Sequence, residues 1–202
     1  MRQSREEAAR THARIVEKAA VLFRERGIDG IGLADLMHEA GLTHGGFYKH
    51  FESKDGLATE ACAHGLAESA RRMRRRAEKN PADPLAAVIE GFLSAEHVED
   101  AGRGCTVAAL GSDMFRCAEP TREAFTKGVA ELIAIMAEVQ PEESLAARRE
   151  AAMTNFAAML GAVVLARGVS DPKLRHELIN SMRRRLLPAS PAKARKEKHH
   201  GG

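Results

Sequence analysis

Apolar side chains recur at every third or fourth position through most of the chain, a spacing that predicts α-helices with one buried face each. The alternating pattern typical of β-strands is absent from the sequence. Gly27 and Gly41 follow two of the periodic stretches and are suited to end them. Pro84, Pro120 and Pro172 stand where a proline fits the first turn of a helix. We therefore predict an all-α protein of about nine helices: 6–26, 33–40, a third of seven or eight residues from about position 43, 53–80, 84–99, 105–117, 120–139, 142–167 and 171–187.

Two segments interrupt this helical pattern. The sequence NPADP at 80–84 breaks the periodicity and separates the N-terminal helices from the others. The sequence PASP at 188–191 opens a Lys/Arg-rich end that has no apolar periodicity. We expect a disordered basic tail over 188–202, which either attracts DNA without regard to sequence or only keeps the chain soluble.

Composition supports a helical, globular protein. The 202 residues are 44% hydrophobic and 29% charged, and only 4% are aromatic, which suits helices better than a β-sandwich. The net charge of +3 is too small to indicate a nucleic-acid partner. Residues 183–202 hold seven basic residues and one Glu, so the first 182 residues carry a net charge of −3. The local arrangement of charge therefore matters more than its total.

Several protein classes are disfavoured by the sequence. The charged N-terminus leads into no apolar segment, so no secretory signal is predicted. The longest nearly uncharged stretch, 151–166, is shorter than the ~20 residues that a membrane span needs. Cys62, Cys105 and Cys117 are widely spaced and odd in number, which suits a reduced compartment. We expect a cytoplasmic protein with no membrane partner.

The segment 33–51, LADLMHEAGLTHGGFYKHF, has the spacing of a helix-turn-helix, in which Gly41 permits the tight turn. Phe47 and Phe51 lie four residues apart and, together with Leu42, are predicted to pack inward. The opposite face carries small or polar residues: Thr43, His44, Gly45, Tyr48 and Lys49. A face of this kind is suited to the major groove of DNA, although any short pair of helices can show the same spacing.

Residues 14–58 resemble the N-terminal domain of the TetR family of transcriptional repressors. The resemblance rests on GLT at 41–43, GFYKHF at 46–51 and SK at 53–54. It implies a three-helix DNA-binding domain over 1–53, and a connecting helix with an all-α effector-binding and dimerisation domain over 54–187. It also implies a homodimeric repressor that binds a palindromic operator and is released by a small-molecule effector.

The same resemblance assigns roles to residues of the third helix. Thr43, Tyr48 and Lys54 are expected to contact DNA phosphates, and His50 lies near the DNA backbone. We expect His44, Gly45 and Lys49 to approach the base edges. Gly46, which lies in the same motif, is also a predicted DNA-binding residue. One position departs from the family, because Gly32 stands where a Ser or Thr usually caps the second helix.

Apolar stripes in the last two helices predict the dimer interface. The helix at 142–167 is apolar on nearly all sides and should be buried on more than one of them. Two copies of the last helix pair would form a four-helix interface, with an intrachain core as the alternative. The predicted interface residues are Phe156, Leu160, Val163, Val164, Leu174, Leu178 and Met182.

The effector pocket has a weaker signal. Soft, apolar side chains are suited to line such a cavity, although ordinary core residues share this pattern. Cys105 follows a Gly-rich turn at a predicted helix start, where a lowered thiol pKa would favour a redox- or electrophile-sensing repressor; a buried, inert cysteine is the alternative. The candidate pocket residues are Phe92, Cys105, Met114, Phe115, Phe125 and Met159.

Other functions find little support in the sequence. We expect no enzyme and no cofactor, because no known catalytic or phosphate-binding motif is present. No metal is expected, since His97, Cys105, Asp113 and Cys117 lack the paired spacing of zinc sites. A non-specific DNA-binding protein is the remaining alternative. It is suggested by five arginines within 71–76, too many for a single helical stripe, although a solvated helix end explains them equally well.

Overall fold

Residues 5–187 are described by the computed structural model, and within them the chain forms α-helices and two short 3-10 helices but no β-strand. The all-α prediction is therefore confirmed, whereas the predicted tail at 188–202 lies outside the described residues. The α-helices are α1 (Arg5–Arg26), α2 (Leu33–Glu39), α3 (Lys54–Lys79), α4 (Pro84–Phe92), α5 (Ala95–Glu99), α6 (Thr106–Leu110), α7 (Glu119–Glu138), α8 (Leu145–Gly168) and α9 (Pro172–Leu186). The 3-10 helices span His44–Lys49 and Met114–Arg116.

The N-terminal helices pack around one apolar cluster. Helix α1 contributes Ile15 and Phe23, helix α2 contributes Leu36, and the 3-10 helix contributes Phe47, all of them fully buried. Gly41 follows α2 with a φ of 71°. Its N–H donates to His38 O and the next N–H donates to Met37 O, each at 2.9 Å, which is a Schellman ending that only a left-handed residue permits. This turn sets the direction of the 3-10 helix.

Helix α3 joins the N-terminal helices to the rest of the protein. It packs against α1 at one end and runs along α7 and α4 further on, while α8 packs on α7 and α9. Its buried side includes Leu57, Leu66 and Met73, so one helix takes part in the core of both regions. A displacement of α3 would therefore change the packing of both the N-terminal helices and the helices that follow it.

Two predicted helices are each broken in the structure. The predicted 84–99 helix is α4 and α5, because Ser94 leaves the helix and its hydroxyl accepts from the N–H of His97 at 3.2 Å. A serine that bonds locally in this way begins a new helix. The predicted 105–117 helix is α6 followed by a 3-10 turn, and Gly111 and Ser112 between them are weak helix formers.

Among the helices of residues 5–187, α8 alone is long enough and apolar enough to cross a membrane. The comparison considers only length and composition. This is weak evidence of a membrane span, since a core helix meets the same criteria. One side of α8 is buried in the protein through Phe156, Met159 and Val163.

Arg24 of α1 is almost fully buried, and it ties the N-terminal helices to the segment that precedes α6. Its Nε donates to Gly102 O at 2.7 Å, and Nη2 lies 3.6 Å from a carboxylate oxygen of Glu68. The hydroxyl of Thr106 lies 3.5 Å from Nη1. Burial lowers the pKa of this guanidinium, and the charge of Glu68 opposes that shift. The contact is thus a polar link between α1, α3 and the segment before α6.

Replacing Arg24 with methionine should lower the free energy of unfolding by about 2–3 kcal/mol, since a buried carbonyl and a carboxylate lose their partner. Urea denaturation followed by circular dichroism measures this change. Arg26→Met is the matched control, because Arg26 is exposed and its pair with Glu39, at 3.8 Å, is a surface pair worth about 0–1 kcal/mol. Equal losses in the two variants would contradict the role given to Arg24.

Candidate functional site

The 3-10 helix His44–Lys49 presents one polar face to solvent. The side chains of His44, Tyr48 and Lys49 are exposed, and so are Thr43 and Gly45. Tyr48 is 65% exposed, which is high for an aromatic residue in a folded protein. The exposed face thus holds the residues that the sequence placed there, while Gly46, His50 and Lys54 are half-buried at its margin.

A stack of aromatic rings beneath this face fixes its position. The rings of Phe47 and Phe51 are stacked with centroids 5.5 Å apart, and both side chains are buried, as the sequence predicts. His12 of α1 stacks on Phe51 at 4.3 Å, and its Nε2 lies 2.6 Å from a carboxylate oxygen of Glu60. Tyr48 meets the edge of Phe47 at 5.3 Å. The exposed tyrosine therefore stands on a packed base that joins α1 to α3.

The segment His44–Lys49 is a 3-10 helix rather than the α-helix suggested by sequence. Its first hydrogen bond runs from Gly46 N–H to Thr43 O at 2.9 Å, and its last from His50 N–H to Phe47 O at 2.8 Å. The two adjacent glycines, Gly45 and Gly46, favour this change because each weakens an α-helix by about 1 kcal/mol relative to alanine. Tighter bonding is common in helices this short.

Gly45 has open space where a side chain would be. A Cβ built there would meet no atom within 4 Å, so packing inside the chain does not require a glycine at this position. A Cβ at Gly46 would lie 3.6 Å from the hydroxyl of Thr43, an ordinary contact. The absence of a side chain at Gly45 therefore leaves its backbone open to close approach from outside.

Helix α3 begins directly beside this face. The Ser53 hydroxyl accepts from the N–H of Gly56 at 3.1 Å and so caps the helix, and Lys54 is its first residue. The free N–H groups and the dipole of a helix N-terminus attract an anion, and Lys54 adds a positive charge. At α2, by contrast, Gly32 makes no side-chain capping bond, as expected from its residue type.

His50, at the margin of this face, has a lowered pKa. Burial lowers the pKa of His50 below its ordinary 6.5, and the nearby His12 and Lys49 lower it further. Its ring is therefore neutral at pH 7, and the positively charged side chains near it in the sequence are Lys49 and Lys54.

The candidate pocket residues do not share one cavity. Phe92 and Cys105 line a space of only about 20 Å³, which is enclosed by residues of α3, α4, α7 and α8. Met114 and Met159 are buried among other apolar side chains, and Phe125 is half-buried.

Phe115 is placed differently from the other candidates. It is 73% exposed and lies 4.5 Å from the guanidinium of Arg116, so it faces solvent and the expectation that it lines the interior is wrong. The 3-10 turn at Met114–Arg116, which replaces the predicted helix, turns this side chain outward.

A larger, polar cavity was missed at the sequence level. It encloses about 330 Å³ between α1, α3, α5 and the turn that follows α5. The predicted pocket residues are mostly apolar, whereas this cavity has charged walls. The one available signal was the arginine run at 71–76, which cannot all face solvent on one stripe. The lining residues are Glu17, Val21, Arg24, Glu68, Arg72, Arg76, Ser94, Glu96, His97, Asp100 and Arg103.

Cys105 is not an activated thiol in this structure. It lies just before α6, where N–H groups of Val107 and Ala108 hydrogen-bond the sulfur and lower its pKa, as do Arg72 and Arg167. Burial has the larger effect and raises the pKa above its ordinary value. The expected lowering at a helix start is therefore wrong, because a fully enclosed thiolate loses its hydration.

No group of three or more His, Cys, Asp or Glu side chains between residues 5 and 187 is arranged to hold a metal ion.

The apolar helix α8 has an inner and an outer side, and the predicted interface residues divide between them. Phe156 and Val163 are buried within the chain, so they belong to its own core and their placement at an interface is wrong. Val164 is 49% exposed and Leu160 is half-buried on the outer side. The neighbouring positions Met153 and Leu165, the latter 56% exposed, share that side and were not predicted.

Helix α9 adds to this outer surface. It packs against α8, and Leu174 is exposed while Leu178 and Met182 are half-buried. Exposed apolar side chains on two adjacent long helices are unusual on a free surface. We refer to Met153, Leu160, Val164, Leu165 and Leu174 as the α8–α9 apolar surface.

A helix-turn-helix on a long connecting helix, with an all-α region behind it, defines a class of DNA-binding protein, and comparison with known proteins identifies the family. Residues 15–61 match the family model for bacterial regulatory proteins of the tetR family. The chain is 37% identical over 86 residues to the HTH-type transcriptional regulator TtgR of Pseudomonas putida, a match that covers 42% of this chain and 40% of TtgR. The matched N-terminal region, residues 15–61, thus has the sequence of the tetR family of bacterial regulatory proteins.

Solved structures show the same fold over nearly the whole chain. The crystal structure of Escherichia coli NemR in its reduced form has a TM-score of 0.70 at 20% identity and covers 87% of this chain and 97% of that one. A TetR family regulator from Cytophaga hutchinsonii has a TM-score of 0.73 at 17% identity, over 92% of this chain and 96% of that one. At these identities the likeness concerns the fold. The sequence match to TtgR, by contrast, spans two-fifths of that relative's length.

Proposed function

We propose that this protein is a homodimeric, ligand-responsive repressor that binds a palindromic DNA operator through its His44–Lys49 helix. The observation that carries the proposal is the exposed polar face of this helix, which stands on a buried aromatic stack within the matched TetR domain. Residues 1–53 would form the reading head, and residues 54–187 the connecting helix and the regulatory region. A role in transcription rather than catalysis agrees with the names of its relatives, and we place that role in the cytoplasm.

On DNA, the exposed face would enter the major groove. Tyr48, Thr43 and Lys54 would contact phosphates, while His44 and Lys49 would approach base edges. Gly45 would allow the backbone to come close to the DNA, because no side chain stands between them.

Dimerisation would use the α8–α9 apolar surface. An isologous contact between two copies would cover side chains that are exposed in one chain. It would also set the distance between two reading heads, which must match half-sites one helical turn, or a multiple of it, apart.

An effector would act by favouring a dimer whose reading heads no longer match the operator. Such an effect requires different affinities for the two states. The bonds of Arg24 to Gly102 and Glu68 support a route for it, because they connect α1 of the reading head to the wall of the polar cavity.

Selection from random duplexes tests this proposal. We expect the full chain to enrich a palindrome, and to bind it about 1,000-fold more tightly than random duplex at physiological salt. Fluorescence anisotropy over a range of salt concentrations measures both affinities. A failure to enrich any sequence, with equal affinity for all duplexes, would instead indicate the non-specific DNA-binding protein.

A further inference from the structure

The polar cavity has charged walls that are balanced overall. Arginine side chains from α1, α3 and the turn after α5 face carboxylates from α1, α3, α5 and that turn, four of each. Among these cations, Arg24 is satisfied by Glu68 and Gly102 O, and Arg72 donates to Gly104 O at 2.9 Å and to the Ser69 hydroxyl at 3.2 Å. Arg103 lies 3.9 Å from a carboxylate oxygen of Asp100, so three of the four arginines have partners within the protein.

Arg76 differs from the other arginines of the cavity. Within residues 5–187 its guanidinium makes no hydrogen bond and no ion pair, although it is half-buried. It lies one turn beyond Arg72 on the same side of α3. Burial and the charge of Arg72 lower its pKa, and the charge of Glu96 opposes that shift. A Cβ on Gly91 of α4 would collide with this guanidinium, so the glycine leaves the space in which it lies. A cation so placed, beside another cation, favours an anion.

His97 supplies a second polar group to the same cavity. Its Nδ1 donates to Phe92 O, since a carbonyl oxygen can only accept, and the proton is therefore on that nitrogen. Burial lowers the pKa of His97 to about 4, so the ring is neutral at pH 7. Its Nε2 is left as an acceptor for an O–H or N–H group.

Behind these two residues the wall becomes apolar. The small space of about 20 Å³ shares Arg72, Arg76 and His97 with the polar cavity and is otherwise lined mainly by apolar side chains. This volume is close to that of a single water-sized group. The floor of the site thus admits a small apolar contact, whereas most of a ligand would occupy the 330 Å³ outside.

We propose that this cavity binds a small organic carboxylate carrying a hydroxyl group, with the carboxylate on Arg76 and the hydroxyl on His97 Nε2. A planar carboxylate matches the paired N–H groups of a guanidinium, and the four wall carboxylates disfavour a dianion such as phosphate. The inference deepens the proposed function, since it names the chemical class of the effector. The ligand would lie between α1 of the reading head and α3.

Isothermal titration calorimetry on the full chain without DNA tests the site. The probes are 2-, 3- and 4-hydroxybenzoate, with the matching hydroxybenzamides as uncharged controls, benzoate as the control without a hydroxyl, and inorganic phosphate as the dianion. We expect at least one hydroxybenzoate to bind with a Kd below about 1 mM. Its amide and phosphate should bind at least about tenfold more weakly, and benzoate several-fold more weakly.

Variants of α3 locate the binding. Arg76→Gln should weaken hydroxybenzoate binding at least about tenfold, and Arg76→Lys should give a smaller loss because it keeps the charge but not the paired donors. Arg75→Gln is the matched control: this exposed neighbour should leave binding within about twofold. Thermal melts verify that each variant is folded. If Arg76→Gln does not fold, the binding affinity of Arg76→Lys is compared with that of the wild type instead.

The outcomes are separable from those for DNA binding. If no hydroxybenzoate binds, if the amide or phosphate binds as well as the acid, or if the Arg76 variants bind as the wild type does, the proposed ligand class is overturned. None of these measurements contains DNA, so operator binding can stand when they fail. Conversely, ligand binding with no operator would leave the site intact and overturn the proposed function.

Discussion

Val164→Arg is expected to convert the protein to a monomer and to reduce its operator affinity by at least about 1,000-fold. Val164 lies in the α8–α9 apolar surface with 49% of its area exposed, so an arginine fits the single chain without entering its core. In an isologous dimer the substitution buries two unpaired cations, at a cost of several kcal/mol. A monomer also reaches only one half-site, and thus loses the second reading head's contribution. Light scattering and fluorescence anisotropy measure the two effects.

Two other positions of α8 supply the controls for this result. Leu145→Arg changes an 82% exposed residue about 100° around α8 and 19 residues away, and it should leave both dimerisation and DNA binding unchanged. Val163→Arg, one residue from Val164 but fully buried, should instead unfold the chain. A Val164→Arg protein that remains dimeric would contradict the proposed interface.

Helix α8 also shows where prediction from sequence ended. The sequence identified an apolar helix that needs burial on more than one side, but Ala, Val, Leu and Met surround it so evenly that its inner side was not defined. The helices that pack against α8, mainly α7 and α9, decide that Val163 faces the core while Val164 does not. The burial of these two adjacent residues therefore differs because of tertiary packing, which the helical periodicity of the sequence does not specify.

The reading head was more predictable because its signals are local. The spacing of Phe47 and Phe51, the turn at Gly41 and the capping Ser53 each act within a few residues, and the structure has all of them. The adjacent glycines Gly45 and Gly46 weaken an α-helix, but the sequence pattern does not predict the 3-10 geometry that the segment adopts. Local sequence signals thus predict where this short helix lies. They do not predict whether it is an α-helix or a 3-10 helix.

The polar cavity was hidden for the opposite reason. Its walls come from α1, α3, α5 and a turn, and arginines rather than apolar residues face it. The run at 71–76 has exposed and inward members, and only packing against α4 and the turn after α5 separates Arg76 from Arg75. The run itself is a sequence signal, but a charged residue on an amphipathic helix is usually solvated, so the sequence does not single out Arg76 within the run.

Tyr48→Ala is expected to lower operator affinity about 100-fold without changing the fold or the oligomeric state. The ring rests on Phe47 while most of its surface and its hydroxyl face outward, so the chain itself gains little from it. On DNA each subunit would lose a positioned phosphate contact, at about 1–1.5 kcal/mol each, and the two losses add in a dimer. Anisotropy titrations at one fixed salt concentration measure the change. Phe115→Ala, which removes another highly exposed aromatic side chain outside the reading head, is the control and should bind DNA as the wild type does. Wild-type affinity in Tyr48→Ala would show that the exposed face of the His44–Lys49 helix is not the surface that reads DNA.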